Sequence, residues 1–297
     1  MIPRGVWLPA ALLCVACPQP TPHHPLPRAD AAVAARQVLF HARSAHGAVY
    51  VVREGSLRIL RFGAADAEDQ SAYDPSRPHH EPLEYVRTAL LGAAYTGRPK
   101  RALMIGLGGG SWLRHLRRVA PAAELEAVEI NPVVVKACRK FFGFAAAGKV
   151  RIHVRDGRRF VQRAASRYDL VFLDAYDSDD YPRHLGTKEL FFEVRRLLTP
   201  KGVVVANLSP NERQRRDELI RTFRAVFPRS ACFHTPVSRN SVLVGGPGVS
   251  LVDPRAFAAR VQRLDLRTAG DYELQRAASQ RCRFKVPDGK ILRDRKP

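Results

Sequence analysis

Residues 101–111 read RALMIGLGGGS: a short apolar run, four glycines within five positions, then a serine that opens WLRHLRRVAP. An apolar run of that length, closed by glycines and followed by helical spacing, predicts a strand, a tight turn and a helix. Glycine lets the backbone turn sharply and approach a neighbour closely, with the helix N-terminal amides facing it. Such turns need glycine with or without a ligand, so the surrounding sequence has to decide the fold. It repeats the pattern. AELEAVEI, VRIHV, YDLVFLDA and GVVVANL are short and apolar throughout, as strands covered on both faces are. PVVVKACRKFFGF, RRFVQRAAS and ELFFEVRRLLT lie between them as helices, the last with Thr187 as cap and Glu189 in its first turn. Units of this kind in series predict an α/β fold: a doubly wound, mostly parallel, Rossmann-like sheet. A helix around 212–227 then leads to SACFHT and NSVLVGG, spaced as a hairpin at the sheet edge.

Upstream, GAVYVVREGSLRILRFG reads as two strands turning at Glu54-Gly55, a small N-terminal β-hairpin domain. Residues 63–82 are polar and carry prolines, as a loop does. PLEYVRTALLGAAYTG has one helical face through Leu83, Val86, Leu90 and Leu91. The start, MIPRGVWLPAALLCVAC, has Arg4, an apolar core and small Ala16 before Cys17. It is similar to a secretory signal of the lipoprotein type, although Cys14 stands where Leu is usual. The expected organisation is a leader at 1–17, a Pro-rich linker at 18–36, a small β-rich domain with its connecting helix at 37–98, the Rossmann-like domain at 99–265 and a loose basic tail at 266–297. If the leader functions, the chain is exported or tied to a membrane by a lipidated N-terminus. If it does not, the cytoplasm is expected.

The 297 residues include 49 Lys and Arg against 28 Asp and Glu, a formal charge of +21. The basic residues are scattered, and no zinc finger, helix-turn-helix or RNA-binding aromatic signature accompanies them, so a nucleic-acid partner is not expected. No stretch of the body is long and apolar enough to span a membrane. The cysteines are too dispersed for a metal knuckle or disulfide framework, and no His pair has a partner at ligand spacing, so no metal is expected.

Three strand ends carry candidate chemistry. Gly106, Gly108 and Gly110 form the first turn. Glu129 closes EAVEI about twenty residues on, where an acid grips ribose hydroxyls. Asp156-Gly157 follows VRIHVR, where an adenine amino group needs an acceptor. At the fourth end, LDAYDSDDYP gathers Asp174, Asp177, Asp179 and Asp180 in a basic chain. A dinucleotide oxidoreductase would use the same turn and the same first acid, but has no need of the later ones. An adenosyl-sulfonium cofactor has no phosphates and carries a positive sulfur, which carboxylates suit.

Gln70-Ser71, HHEPLEY, LMIGLGGGS, AVEINP, RDG, LDAYDSDD and GVVVANL, in that order, resemble the spermidine synthase-like family over roughly residues 50–208. The resemblance implies a class I methyltransferase-type Rossmann domain behind a small β domain. It implies decarboxylated S-adenosylmethionine, or S-adenosylmethionine itself, as co-substrate, a small-molecule polyamine as acceptor, and a homodimer. By match, Gly106, Gly108, Gly110, Glu129, Asp156 and Gly157 hold the cofactor, and Gln70, His80, Glu81 and Tyr176 lie beside the substrates. Asp174 falls at the base position and Asp177 at the acceptor-binding one, while Asp179 and Asp180 face water. An amine with a pKa near ~10 is mostly protonated at neutral pH, so a carboxylate must take its proton before nitrogen attacks carbon.

The chain departs from the family at three positions. His79 stands where Tyr is usual, and Asn131 where Asp follows the ribose acid. Gly109 replaces the aspartate of the family's GGGDGG, which contacts the amine end of the decarboxylated cofactor and repels a carboxylate. Three readings follow: aminopropyl transfer to a polyamine; methyl transfer from S-adenosylmethionine to an amine or protein acceptor; and a non-catalytic exported binding protein on the same fold.

Overall fold

The βα alternation builds a seven-stranded sheet in the order Ser230–His234, Ser241–Gly245, Leu198–Asn207, Tyr168–Leu173, Arg101–Ile105, Glu124–Glu129, Val150–Val154. The computed structural model describes residues 36–144, 150–177, 181–208, 213–236, 238–251, 253–267, 274–279, 281 and 288–294. These all lie in one compact unit, 34–297. The leader, nearly all of the Pro-rich linker, Asp179 and Asp180 fall outside the described residues.

The parallel strands are β5 (Arg101–Ile105), β6 (Glu124–Glu129), β7 (Val150–Val154), β8 (Tyr168–Leu173) and β9 (Leu198–Asn207). Strands β10 (Ser230–His234) and β11 (Ser241–Gly245) pair antiparallel, and β11 continues the sheet beside β9, as the edge-hairpin reading expected. The intervening helices are α3 (Ser111–Val119), α4 (Pro132–Phe141), α5 (Gly157–Arg163), α6 (Lys188–Leu197) and α7 (Arg213–Val226). Side-chain caps start α4, α5 and α6: Asn131 accepts from the Val133 amide, Asp156 from Arg159 and Thr187 from Leu190. Apolar layers cover both faces of the sheet. Trp112, Leu113, Leu116, Met104 and Phe172 lie in one; Val171, Phe191, Val194 and Phe223 in the other.

A four-stranded antiparallel sheet precedes this core: β1 (Gln37–Ser44), β2 (Gly47–Glu54), β3 (Leu57–Phe62) and β4 (Asp69–Tyr73). Strand β4 lies where a loop was expected, because DQSAY is too polar to show a strand pattern and only Ser71 to Tyr73 are buried. The single helix expected over 83–97 is two, α1 (Glu84–Ala89) and α2 (Leu91–Thr96), meeting at Leu90. Val49, Val51, Leu60 and Tyr73 of the small sheet pack on Val134, Ala137 and Phe142, so the sheet braces α4 and the glycine turn. Helices α8 (Pro247–Leu251), α9 (Pro254–Arg267) and α10 (Leu274–Ser279) follow the large sheet. The tail expected to be loose is docked over 288–294, with Leu292 buried in the second apolar layer.

Candidate active site

The C-terminal ends of β5, β6, β7 and β8 converge, which is where open parallel sheets bind ligands. Gly106, Gly108 and Gly110 take positive φ of 87°, 52° and 71°, a backbone that only glycine adopts without strain. Protein fills the space their missing side chains leave. A Cβ on Gly106 would collide with the Asp174 carbonyl, and one on Gly108 would lie 2.6 Å from Ser71 Oγ. At Gly110 and Gly157 the neighbours are Phe144 and Ile105. The close approach anticipated for a ligand is therefore backbone to protein, and at Gly106 it draws the end of β8 onto the turn.

Each strand-end acid has its own surroundings. Glu129 is buried, and its oxygens accept from the Leu107 amide at 3.0 Å and the Asn131 amide at 2.9 Å. Burial raises its pKa, and the loop amides oppose the rise. The acid expected to grip a ribose thus also ties the glycine turn to the β6–α4 turn. Asp156 caps α5 through the Arg159 amide at 2.8 Å and meets His184 Nε2 at 2.9 Å. Desolvation pushes against its ionisation, but that amide and His184 prevail and hold its pKa below the ordinary value. Ile130, immediately after Glu129, is 41% exposed, an apolar surface at the strand end that composition alone did not single out.

Asp174 differs from both. Its amide donates to Ile105 O at 2.9 Å, which fixes it at the end of the central strand pair. The residue is half-buried, and loss of water around its carboxyl raises its pKa to about 6 against the hydrogen bonds from Asn207 and Tyr85. Asn207 Nδ2 donates to Asp174 Oδ1 at 2.9 Å, while Asn240 Nδ2 donates to Asn207 Oδ1 at 2.8 Å. Tyr176 Oη donates to the Asn207 carbonyl at 2.9 Å. The Tyr85 hydroxyl reaches both Asp174 and, at 3.4 Å, the Gln70 carbonyl. The site therefore joins Gln70, Tyr176 and Asp174, and adds Tyr85, Asn207 and Asn240, which sequence reasoning missed. Asn207 left a trace, as the polar residue closing the apolar run VVVAN. Tyr85 closes the quoted motif HHEPLEY, but its role was hidden because it reads as one more residue of an amphipathic helix.

Other expected residues stand apart. Asp177 is exposed, three residues past Asp174 on the same loop. Glu81 is fully buried, with Oε2 3.0 Å from His115 Nε2 and Oε1 accepting from the Leu83 amide. Its carboxylate serves that internal pairing instead of facing a substrate. His80 is half-buried next to it. A narrow, tightly closed apolar crevice is lined by Ile105, Gly157, Leu173, Ala175, Tyr181 and Leu185, residues that include the chain neighbours of Asp156 and Asp174.

The donor set fits an adenosyl-sulfonium ligand. Three carboxylates and two Asn side chains suit hydroxyl and amino donors and a positive sulfur. Among the described residues no group of three His, Cys, Asp or Glu could hold a metal ion.

The family model of the spermine/spermidine synthase domain matches residues 87–237, just over half the chain. A polyamine aminopropyltransferase of Vibrio vulnificus is 29% identical over 232 residues, covering 76% of this chain and 77% of that one. The eEF1A lysine and N-terminal methyltransferase of Bos taurus is 30% identical over 141 residues, covering 44% of this chain and 20% of that much longer protein. Among solved structures, a spermidine synthase in complex with the transition state analogue AdoDATO superposes with a TM-score of 0.62. It shares 18% identity and covers 80% of this chain and 84% of its own, a likeness of fold.

Proposed function

The chain belongs to the spermine/spermidine synthase domain family, and from that premise we propose that it transfers an aminopropyl group to a polyamine, with Asp174 as the base. The observation that carries the reading is Asp174 itself: a half-buried carboxylate with its pKa raised to about 6, oriented by Asn207 and Tyr85 beside the glycine turn. A base poised near neutrality both ionises and accepts a proton at working pH.

Decarboxylated S-adenosylmethionine, when bound, supplies a carbon made electrophilic by its positive sulfur. Asp174 takes the proton of the acceptor's ammonium. The freed nitrogen forms the new N–C bond as the C–S bond breaks, and methylthioadenosine leaves with the electron pair on sulfur. Asn207 and Tyr85 hold the carboxylate in its ionised form and in one orientation, where positioning supplies much of the acceleration. Glu129 offers acceptors to the ribose hydroxyls and Asp156 to the adenine amino group, with Ile130 as an apolar surface for the base. Asp177, at the rim, attracts the distal ammonium of the acceptor. Where the cofactor is made argues for a cytoplasmic enzyme, and the leader for export; fractionation of the expressed full chain decides between them.

A second reading, methyl transfer from S-adenosylmethionine, has its own support. A Cβ on Gly109 would lie 2.7 Å from Phe142 Cδ1 and 2.9 Å from Ser71 Cβ. The turn has no room for the aspartate that favours the decarboxylated cofactor. Both groups of relatives are transferases, which speaks against a non-catalytic binding protein.

Incubation with each cofactor and a panel of polyamines, read by mass spectrometry, separates the readings. An aminopropyl adduct on a polyamine, made only with the decarboxylated cofactor, is the expected result. A methyl adduct made with S-adenosylmethionine would replace it with the second reading.

A further inference from the structure

The segment from Asp288 to Asp294 returns across the molecule and joins elements that border the nucleotide end of the site. Leu292 lies among Leu185, Leu190 and Leu219 in the apolar layer. Its carbonyl accepts from the Lys188 amide at 2.9 Å, taking up one of the free N–H groups that begin α6. Its own amide donates to Thr222 Oγ1 at 2.9 Å. The Asp294 amide donates to Glu189 Oε2 at 3.0 Å. Its carboxylate then receives both terminal nitrogens of Arg158, a bidentate pair that fixes distance and plane together.

Arg158 is a junction. It is the second residue of α5, two after Asp156, and its side chain is only 13% exposed. Besides Asp294 it donates to the His184 carbonyl at 3.2 Å, to Thr187 Oγ1 at 3.3 Å and to Glu193 Oε1 at 3.3 Å. His184 in turn places its ring on Asp156. One guanidinium thus ties the start of α5, the turn before α6, α6 itself and the C-terminal segment. The first three of these contribute Gly157, Leu185 and Leu190 to the walls of the apolar crevice next to Asp156, and the C-terminal segment holds them from outside. A guanidinium holding a carbonyl, a hydroxyl and a carboxylate leaves the crevice walls a single arrangement, provided the Asp294 side of the fork is filled.

We propose that Asp294 and Arg158 are positioning residues, and that the C-terminal segment is a strap that presets Asp156, His184 and the crevice for the adenosyl end of the cofactor. The inference rests on the adenosyl-sulfonium reading of this site. It assigns the strap to nucleotide capture and leaves proton transfer, at the far end of the site, to Asp174.

The test uses the full chain and its Asp294→Ala and Asp294→Glu variants. Calorimetry measures methylthioadenosine binding, and kinetics measure kcat and both KM values with whichever cofactor proves active. Asp294→Ala is expected to raise the nucleotide Kd and the cofactor KM by about threefold to fivefold, the scale of one partly exposed ion pair. The kcat and the acceptor KM stay within about twofold, and Asp294→Glu recovers most of the loss. Wild-type binding with an unchanged Asp294→Ala overturns the strap alone. So does a fall in kcat matching the loss of affinity, or a loss that glutamate does not repair, since either means general loosening. A wild type that binds neither methylthioadenosine nor either cofactor overturns the functional reading and this inference with it.

Discussion

The ends of β7 and β8 carry aspartates at equivalent places in one sheet, and the fold treats them oppositely. Asp156 is an N-cap: an amide and His184 stabilise its charge and its pKa falls. Asp174 is half-buried, as Asp156 is, its charge is supported by the Asn207 and Tyr85 side chains, and loss of water around its carboxyl raises its pKa to about 6. A carboxylate that completes a helix terminus strengthens the fold, whereas one whose desolvation outweighs its hydrogen bonds stores basicity at the fold's expense. Position in the sheet does not decide which is which. The surroundings do: a free helix start faces Asp156, while Asn207, Tyr85 and the tightened Gly106 turn face Asp174.

The strongest way to break this contrast is Asp174→Asn. Loss of a positioned general base is expected to lower kcat by about 10²–10⁴. The same change should stabilise the protein at neutral pH. The sign follows from the raised pKa: the penalty for burying the charge is absent below the unfolded value of 3.8, grows as pH rises and is complete above about 6. The variant's advantage, on the order of 1–3 kcal/mol, should therefore appear in melts at pH 7 and vanish by about pH 4. Full turnover with an amine acceptor, or an advantage independent of pH, would remove Asp174 from its role.

Tyr85→Phe sharpens the contrast at smaller cost. It removes one of the two donors that favour the ionised form of Asp174. The acid limb of the kcat/KM profile should move upward from about pH 6, with activity at neutral pH falling by roughly tenfold. A limb that stays in place would mean that Tyr85 only packs.

Much of this arrangement was legible in the sequence, and the reasons for the rest are physical. The strands β5 to β9 announced themselves because parallel strands buried on both faces are apolar throughout, and the terminal acids stood out against them. Strand β4 was hidden because a polar edge strand, DQSAY, has no such signature, although it brings Ser71 onto the Gly109 amide at 2.8 Å. The motif residue Glu81 was recognisable, but not its partner: His115 lies on a helix 34 residues away, and the pairing exists only after folding. The docked tail is the extreme case, since Arg158 and Asp294 are 136 residues apart and nothing local in either segment marks the contact.

The smallest effect, and the mirror image of the first, belongs to Asp156→Ala. Deleting an N-cap costs about 0.5–2 kcal/mol, which for a chain of this size lowers the melting temperature by a few degrees at pH 7. Here the pKa is lowered, so the stabilisation is present above the unfolded value of 3.8 and is lost as pH falls through the folded one. The gap between wild type and variant should therefore narrow toward pH 3, whereas the Asp174→Asn gap opens as pH rises from about 4 to 6. With Asp156 as the proposed acceptor for the adenine amino group, the variant should raise the cofactor KM while leaving kcat within about twofold. A kcat loss comparable to that of Asp174→Asn would show that the two strand ends do not divide structure and chemistry between them.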